Sequence, residues 1–301
     1  MKIGGITVDT MKLPDGTKLR FGEGGDPGGR VVLGMPGFLA GFAEIILAGH
    51  RAAQQQKIRL IACDPVGIGE SRGKVPMTKY ESALQRLAML NELGVDKFDV
   101  FSVSGGTGDA VGLAIAAPDR VKSVTIASGL GQIERKQTRA LLPFPQPFLL
   151  WLTQYMHPKI TSTVLQCALN FRHCDAFIHH ISKLASPDDR IMLETRRDIR
   201  DLLWTGHQNV FEEGEGGKAL YWQLHRMMHW GCDPENMPPH IPVYLYHGPE
   251  DTIVPIGMAE EMYGRLPASG KPELIRLPGG HLCILKEGHL ELMMARPCAA
   301  V

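Results

Sequence analysis

The chain has 301 residues, enough for one large domain carrying an insertion, and its 44% hydrophobic content supplies a substantial core. Lys plus Arg equals Asp plus Glu at 32 each, so no long-range field recruits nucleic acid or an anionic membrane surface, and a polyanion partner is not expected. The opening MKIGGITVDTMKLPDG lacks the apolar run of a secretory signal and no stretch is long enough to span a bilayer, so a soluble, cytoplasmic protein is expected. Six cysteines without a CxxC pair argue against a disulfide framework and a zinc knuckle, and most are expected to be buried as small hydrophobes.

Two short strands open the chain, Ile6 to Leu13 and Thr17 to Glu23, joined at Asp15-Gly16, a dipeptide suited to tight hairpins. A strand over Val31 to Leu33, a helix over Phe42 to Gln55, a strand over Leu60 to Cys63 and a helix over Lys79 to Leu93 follow. The alternation continues with Asp99 to Val103, a helix over Gly108 to Ala117 and a strand over Val121 to Ala127. Apolar strands alternating with helices imply a mostly parallel sheet, here of eight strands, covered on both faces. From about Gly131 to Pro239 the spacing is helical only, with a Gly-rich loop EEGEGG at 212 to 217, so residues 131–239 read as a helical cap inserted between core segments 1–130 and 240–301. Strand Val243 to Tyr246, a helix over Met258 to Leu266, strand Glu273 to Leu277 and a last helix after His281 complete the pattern. LLPFPQPFLLWL at 141 to 152 is broken by three prolines and reads as a wall of the protein rather than an anchor.

The strongest local signal is FDVFSVSGGTGDAVGLAIA at 98 to 116, an apolar strand, a tight turn and a small-residue helix with Ser104 at the turn. A nucleophile on such an elbow needs small residues two before and two after it, which Ser102 and Gly106 supply. Ser102 is the poorer nucleophile, since bulky Val100 takes its minus-two position. A serine hydroxyl is a weak nucleophile and needs an imidazole oriented by a carboxylate. IPVYLYHGPEDTIVP at 241 to 255 offers Asp251 after a strand, and ELIRLPGGHLCIL at 273 to 285 offers His281 after the next. Of the rivals, Glu250 is one step closer to the strand end than Asp251 and Asp233 lies before the strand, while His240 and His247 flank that strand and His289 lies on the last helix, which favours structural roles for the three histidines.

The order of VVLGMPGF at 31 to 38, CDPVGIGES at 63 to 71, SVSGG at 102 to 106, YHGPEDTIVP at 246 to 255 and PGGHL at 278 to 282 resembles the α/β-hydrolase superfamily, in its serine-hydrolase branch. HWGCDPENMPPHIPVYLYHG at 229 to 248 is further similar to members akin to proline iminopeptidases and carboxylesterases. The resemblance implies a Ser104, Asp251, His281 triad. It also implies an oxyanion hole in which the family's HGxPG turn appears as Leu33-Gly34-Met35-Pro36-Gly37, with Met35 and Gly105 as main-chain donors. The expected activity is hydrolysis of a small hydrophobic ester or related acyl substrate, without metal or cofactor. A peptidase, lactonase or C–C hydrolase, or a ligand receptor that turns over slowly, stays open.

DPVGIGES lacks the GxxxxGK[ST] spacing of a phosphate loop and reads as a shaped turn. His225 and His229 lie one helical turn apart, and His173, Cys174, Asp175, His179 and His180 cluster, but no HExxH accompanies them, so surface or packing roles are expected. Trp151, Trp204, Trp222 and Trp230 are candidates for an acyl pocket or for cap core.

Overall fold

The computed structural model describes residues 2–3 and 5–295. A two-residue strand β1 (Lys2–Ile3) precedes the expected hairpin, β2 (Ile6–Lys12) and β3 (Lys18–Gly25). Asp15 fixes the hairpin turn by accepting the Thr17 amide at 2.9 Å. There follow β4 (Arg30–Met35), α1 (Phe42–Gln55), β5 (Ile58–Cys63), α2 (Lys79–Glu92), β6 (Phe98–Val103), α3 (Thr107–Ala116) and β7 (Val121–Ala127). Seven helices then run without a strand among the described residues: α4 (Lys136–Arg139), α5 (Gln146–Tyr155), α6 (Pro158–Leu169), α7 (Cys174–Leu184), α8 (Pro187–Thr195), α9 (Arg197–Phe211) and α10 (Gly217–Met227). The chain returns through β8 (Val243–His247), α11 (Gly257–Arg265), β9 (Glu273–Arg276), a 3-10 turn at His281–Leu285 and α12 (His289–Ala295).

The strands form one sheet in the order β1-β2-β3-β5-β4-β6-β7-β8-β9. Pairings from β5 to β9 are parallel, and β1, β2 and β3 are antiparallel. The eight strands legible in the sequence are all present, and β1 adds a short ninth at the hairpin edge. Helices α2, α3 and α11 bury Ala83, Met89, Val111, Leu113 and Met262 on one face, while α1 and α12 bury Ile45, Ile46, Ala53 and Met293 on the other. Both faces are dry, which is why the central strands read as nearly continuous apolar runs.

Prolines and short polar side chains punctuate the helical segment. Pro158 opens α6, and Ser186 caps α8 by accepting the Asp189 amide at 3.2 Å, with Pro187 following. Its own apolar side chains form two further clusters. One joins α5, α6 and α10 to the loops above the sheet, and the other joins α7, α8 and α9 to Leu282. The cysteines depart from expectation. Cys63 and Cys283 are buried, but Cys167 is exposed and Cys174 and Cys232 are half-buried, because those three lie in the thinner helical segment or the loop after it; Cys298 lies outside the described residues.

Candidate active site

Strand β6 delivers the chain to Ser104 at φ +51°, a left-handed conformation uncommon for a residue with a Cβ. Local bonds hold it there: the Ser104 carbonyl accepts the Leu130 amide at 3.0 Å and the Thr107 hydroxyl at 2.7 Å. The close approach that requires Gly106 is explicit, since a Cβ there would stand 2.6 Å from the Met35 carbonyl oxygen. Ser102 is wholly buried and its hydroxyl meets no partner among the described residues, whereas Ser104 is partly open to solvent.

Beneath the elbow lies a buried charge cluster that the sequence did not announce. Lys79 donates to the Gly105 carbonyl at 2.6 Å and to Asp109 Oδ2 at 2.7 Å, and Arg86 pairs with Asp109 at 3.2 Å. Burial alone would push the Asp109 carboxyl up, yet Lys79 and Arg86 hold it well below the ordinary carboxylate range. Fixing the Gly105 carbonyl from below also fixes the plane of the Gly105–Gly106 peptide, next to the turn.

Met35, a donor implied by the resemblance, requires correction. It is the last residue of β4, pairs in register with Ser102 and is 0% exposed, so its amide lies inside the sheet rather than at the rim. Three residues on, the chain passes directly over the elbow: a Cβ on Gly37 would stand 3.2 Å from Ser104 Cβ, and one on Gly105 would stand 3.3 Å from the Phe38 nitrogen. The Phe38 amide meets no acceptor among the described residues. Its neighbours are tied down, with the Leu39 amide donating to Gln223 Oε1 at 3.2 Å, the Gly41 amide to Glu44 Oε2 at 2.8 Å and the Phe42 amide to Asp64 Oδ1 at 2.9 Å. Asp64, the first acid of the DPVGIGES turn, thus caps α1 and steadies this loop.

Asp251 and His281 meet as the sequence predicts. The His281 Nδ1 to Asp251 Oδ2 distance is 2.7 Å, and Asp251 Oδ1 accepts the amides of Ile253 at 2.9 Å and Val254 at 2.8 Å. A second imidazole, His247, approaches Asp251 Oδ2 at 3.3 Å and holds the Val254 carbonyl at 2.7 Å; being buried, it serves the loop. Burial would raise Asp251, but the two imidazoles hold it well below its usual value. Burial would lower His281, but Asp251 holds it above.

His281 and Ser104 share the same rim through the segment after β7. Ser128 donates its hydroxyl to the His281 carbonyl at 3.1 Å, and two residues later Leu130 donates to the Ser104 carbonyl. Among the described residues no hydrogen bond joins the Ser104 hydroxyl to the imidazole.

The principal surprise is Asp189. This carboxylate, at the start of α8 and 0% exposed, accepts the amide of His281 at 2.8 Å on Oδ2 and that of Leu282 at 2.9 Å on Oδ1. It caps, from 92 residues away, the 3-10 turn that carries the imidazole. Gly280 lets it approach, since a Cβ there would stand 2.2 Å from Asp189 Oδ2.

The tryptophans divide. Trp230 is buried against α3 and donates to the Met227 carbonyl at 3.1 Å, Trp204 stacks on His207, Trp222 packs edge-on to Tyr221, and Trp151 faces outward. His225 and His229 stack with ring centroids 4.1 Å apart, and His180 packs on Phe171.

With its sheet order, its strand-to-helix elbow and its helical excursion between β7 and β8, the chain has the α/β-hydrolase fold. No protein-family model matches the sequence. The structure is similar to a hydrolase from Pseudomonas aeruginosa, with a TM-score of 0.70 and 16% identity over 99% of this chain and 100% of that one. It is also similar to an esterase from Exiguobacterium antarcticum (TM-score 0.69, 16% identity, 97% and 100% covered). An enol-lactonase from Burkholderia xenovorans is comparable (TM-score 0.68, 13% identity, 97% and 100% covered). At these identities the likeness is one of fold.

Proposed function

We propose that the protein is a serine hydrolase that cleaves a carboxylic ester or related acyl bond through a covalent acyl-enzyme, with the helices between β7 and β8 as its cap. Ser104 is the nucleophile, His281 the general base and Asp251 the group that fixes the imidazole tautomer. The amides of Gly105 and Phe38 receive the oxyanion, and water completes the cycle by attacking the acyl-Ser104 carbonyl with His281 again taking the proton. The observation that carries this reading is the left-handed Ser104 at the end of β6, set under an unpartnered Phe38 amide and on the same rim as the Asp251–His281 pair. Phe38, Leu39, Leu130, Met227 and Ile253 belong to one apolar cluster above the elbow, which favours a hydrophobic acyl group. The esterase and enol-lactonase that share the fold act on such bonds by name, and support the class.

Fluorophosphonate labelling with peptide mapping tests the nucleophile. Labelling is expected on Ser104 in the wild type, to persist in Ser102→Ala and to vanish in Ser104→Ala. A Ser104→Ala protein that still takes up the reagent at this site rejects the assignment.

Asp189 acts on this reaction as a positioning residue. Asp189→Ala is expected to lower kcat on a p-nitrophenyl ester about 100-fold with little change in KM, since a misplacement of about 1 Å has that effect. Asp189→Asn, which keeps one acceptor, should fall between. Because the Asp189 charge also helps hold His281 up, the acidic limb of the pH–rate profile should move to lower pH in both variants. Loss of activity without movement of that limb would mark Asp189 as merely structural.

A further inference from the structure

We propose that the outer face of α5 is a docking surface for a lipid–water interface bearing anionic headgroups. A surface helix ordinarily turns charged or polar side chains outward. Helix α5, QPFLLWLTQY, has no charged residue and presents apolar side chains on both faces. Leu150 and Leu152 are buried, while Phe148, Trp151 and Tyr155 are exposed, and Phe144 in the preceding turn is 81% exposed. At roughly 100° per residue, positions 148, 151 and 155 fall within about 60° of one another. They form a continuous ridge, with ring centroids 6.1 Å apart for Phe148–Trp151 and 6.0 Å for Trp151–Tyr155. Ile160 and Val164 on α6 are exposed as well, and more than half of the large hydrophobic side chains exposed among the described residues lie between 141 and 164. A patch of this kind marks an interaction site, and Trp and Tyr suit a boundary that is apolar on one side and wet on the other.

Charge selects the occupant. The whole chain is neutral, yet from 135 to 174 there are five Lys or Arg residues and no Asp or Glu. Arg135 is paired with Glu235 and Glu261, but Lys136, Arg139, Lys159 and Arg172 form no ion pair among the described residues. Lys136 and Arg139 precede the ridge in the chain, Lys159 follows it at the start of α6, and Lys136, Lys159 and Arg172 are exposed. Aromatic side chains flanked by free cations match the apolar edge and phosphate layer of an anionic lipid surface. Docking here needs no span, and no helix among the described residues is long and apolar enough to cross a membrane.

The surface lies one layer from the chemistry. The inner side of α5 shares an apolar cluster with Leu130, Val254 and Phe38, and Gln146 at its start donates to the Ile253 carbonyl at 2.8 Å, two residues after Asp251. Resting on the proposed hydrolase activity, this placement makes acyl compounds that partition into lipid the substrate class. Docking itself is independent of that activity.

Sedimentation with phosphatidylcholine vesicles, with and without phosphatidylglycerol, tests it. The wild type and Ser104→Ala are expected to pellet with the anionic vesicles and to be released by high salt. Phe148→Ser with Trp151→Ser should lower vesicle binding about tenfold or more. Lys136→Glu with Lys159→Glu should weaken binding to the anionic vesicles selectively. Turnover of water-soluble p-nitrophenyl acetate, unchanged in both double variants, checks their folding. Vesicle binding without ester turnover in the wild type would remove the hydrolase reading and leave docking intact. A wild type that stays in solution with both vesicle types, or an aromatic double variant that pellets like the wild type, overturns docking. So does a self-association, seen by sedimentation velocity, that the aromatic exchanges abolish while vesicles go unbound, because the ridge would then belong to a second copy of this chain.

Discussion

Asp251→Asn is expected to lower kcat/KM for a p-nitrophenyl ester by roughly 10⁴-fold while leaving the fold intact, because the amide nearly matches the carboxylate in shape but offers the imidazole the wrong partner. The native carboxylate accepts two main-chain amides on Oδ1 and faces two imidazoles on Oδ2, so its orientation is fixed from four directions. The sign of the pH effect follows from the same contacts. A general base works as the neutral imidazole, and Asp251 raises His281 above its ordinary value of 6.5, so activity in the wild type is expected to rise as pH climbs through that raised value. In Asp251→Asn the attraction is gone while burial remains, and the residual activity should rise at lower pH. Stability obeys linkage in both directions. The contribution of His281 is complete below its unfolded value and is lost as pH rises through the raised folded one. That of Asp251 is complete above its unfolded value near 3.8 and is lost as pH falls toward its depressed folded one. Steady-state rates across pH, paired with urea unfolding, read both. An Asn variant within tenfold of wild type would remove Asp251 from the mechanism.

Asp109→Ala should be the most damaging exchange for stability, at about 3–5 kcal/mol, since it strands buried Lys79, Arg86 and Arg226 without their shared counter-ion. The exposed pair Arg276–Glu260 makes the contrast. Its 2.7 Å contact is as short as that of Lys79 and Asp109, but it stands in water, and Arg276→Ala should cost no more than about 1 kcal/mol. Thermal unfolding of the two variants side by side separates burial from distance. Equal shifts would mean that the cluster under the elbow is wetter than its burial implies.

The sequence carried the frame well because its signals are local. Alternating apolar runs gave the strands, the small residues around Ser104 gave the elbow, and the loops after β8 and β9 gave Asp251 and His281, each within a few residues of a strand end. What it hid depends on contacts between distant segments. Asp189 stands in Ser186-Pro187-Asp188-Asp189, which reads as an ordinary helix start and fulfils that role, so nothing local reveals that its carboxylate reaches His281. Lys79 follows an N-cap threonine and looks like a solvated helix residue until α3 closes over it. The turn pattern points to Met35, whereas the amide above Ser104 is set by how far β4 runs before the chain leaves the sheet. The aromatic face of α5 was legible as composition, and only its exposure changes the reading from wall to surface.

The grip of Asp189 on the turn after β9 also bears on how such a molecule can be rebuilt. Excising residues 131–239, or exchanging them for the corresponding lobe of another protein, would keep the sheet, Ser104 and Asp251 yet leave the main-chain amides of His281 and Leu282 without their acceptor. The turn that carries His281 thus draws on both segments, and a transplanted segment that brings no carboxylate to that spot should cost the proposed activity about as much as Asp189→Ala does.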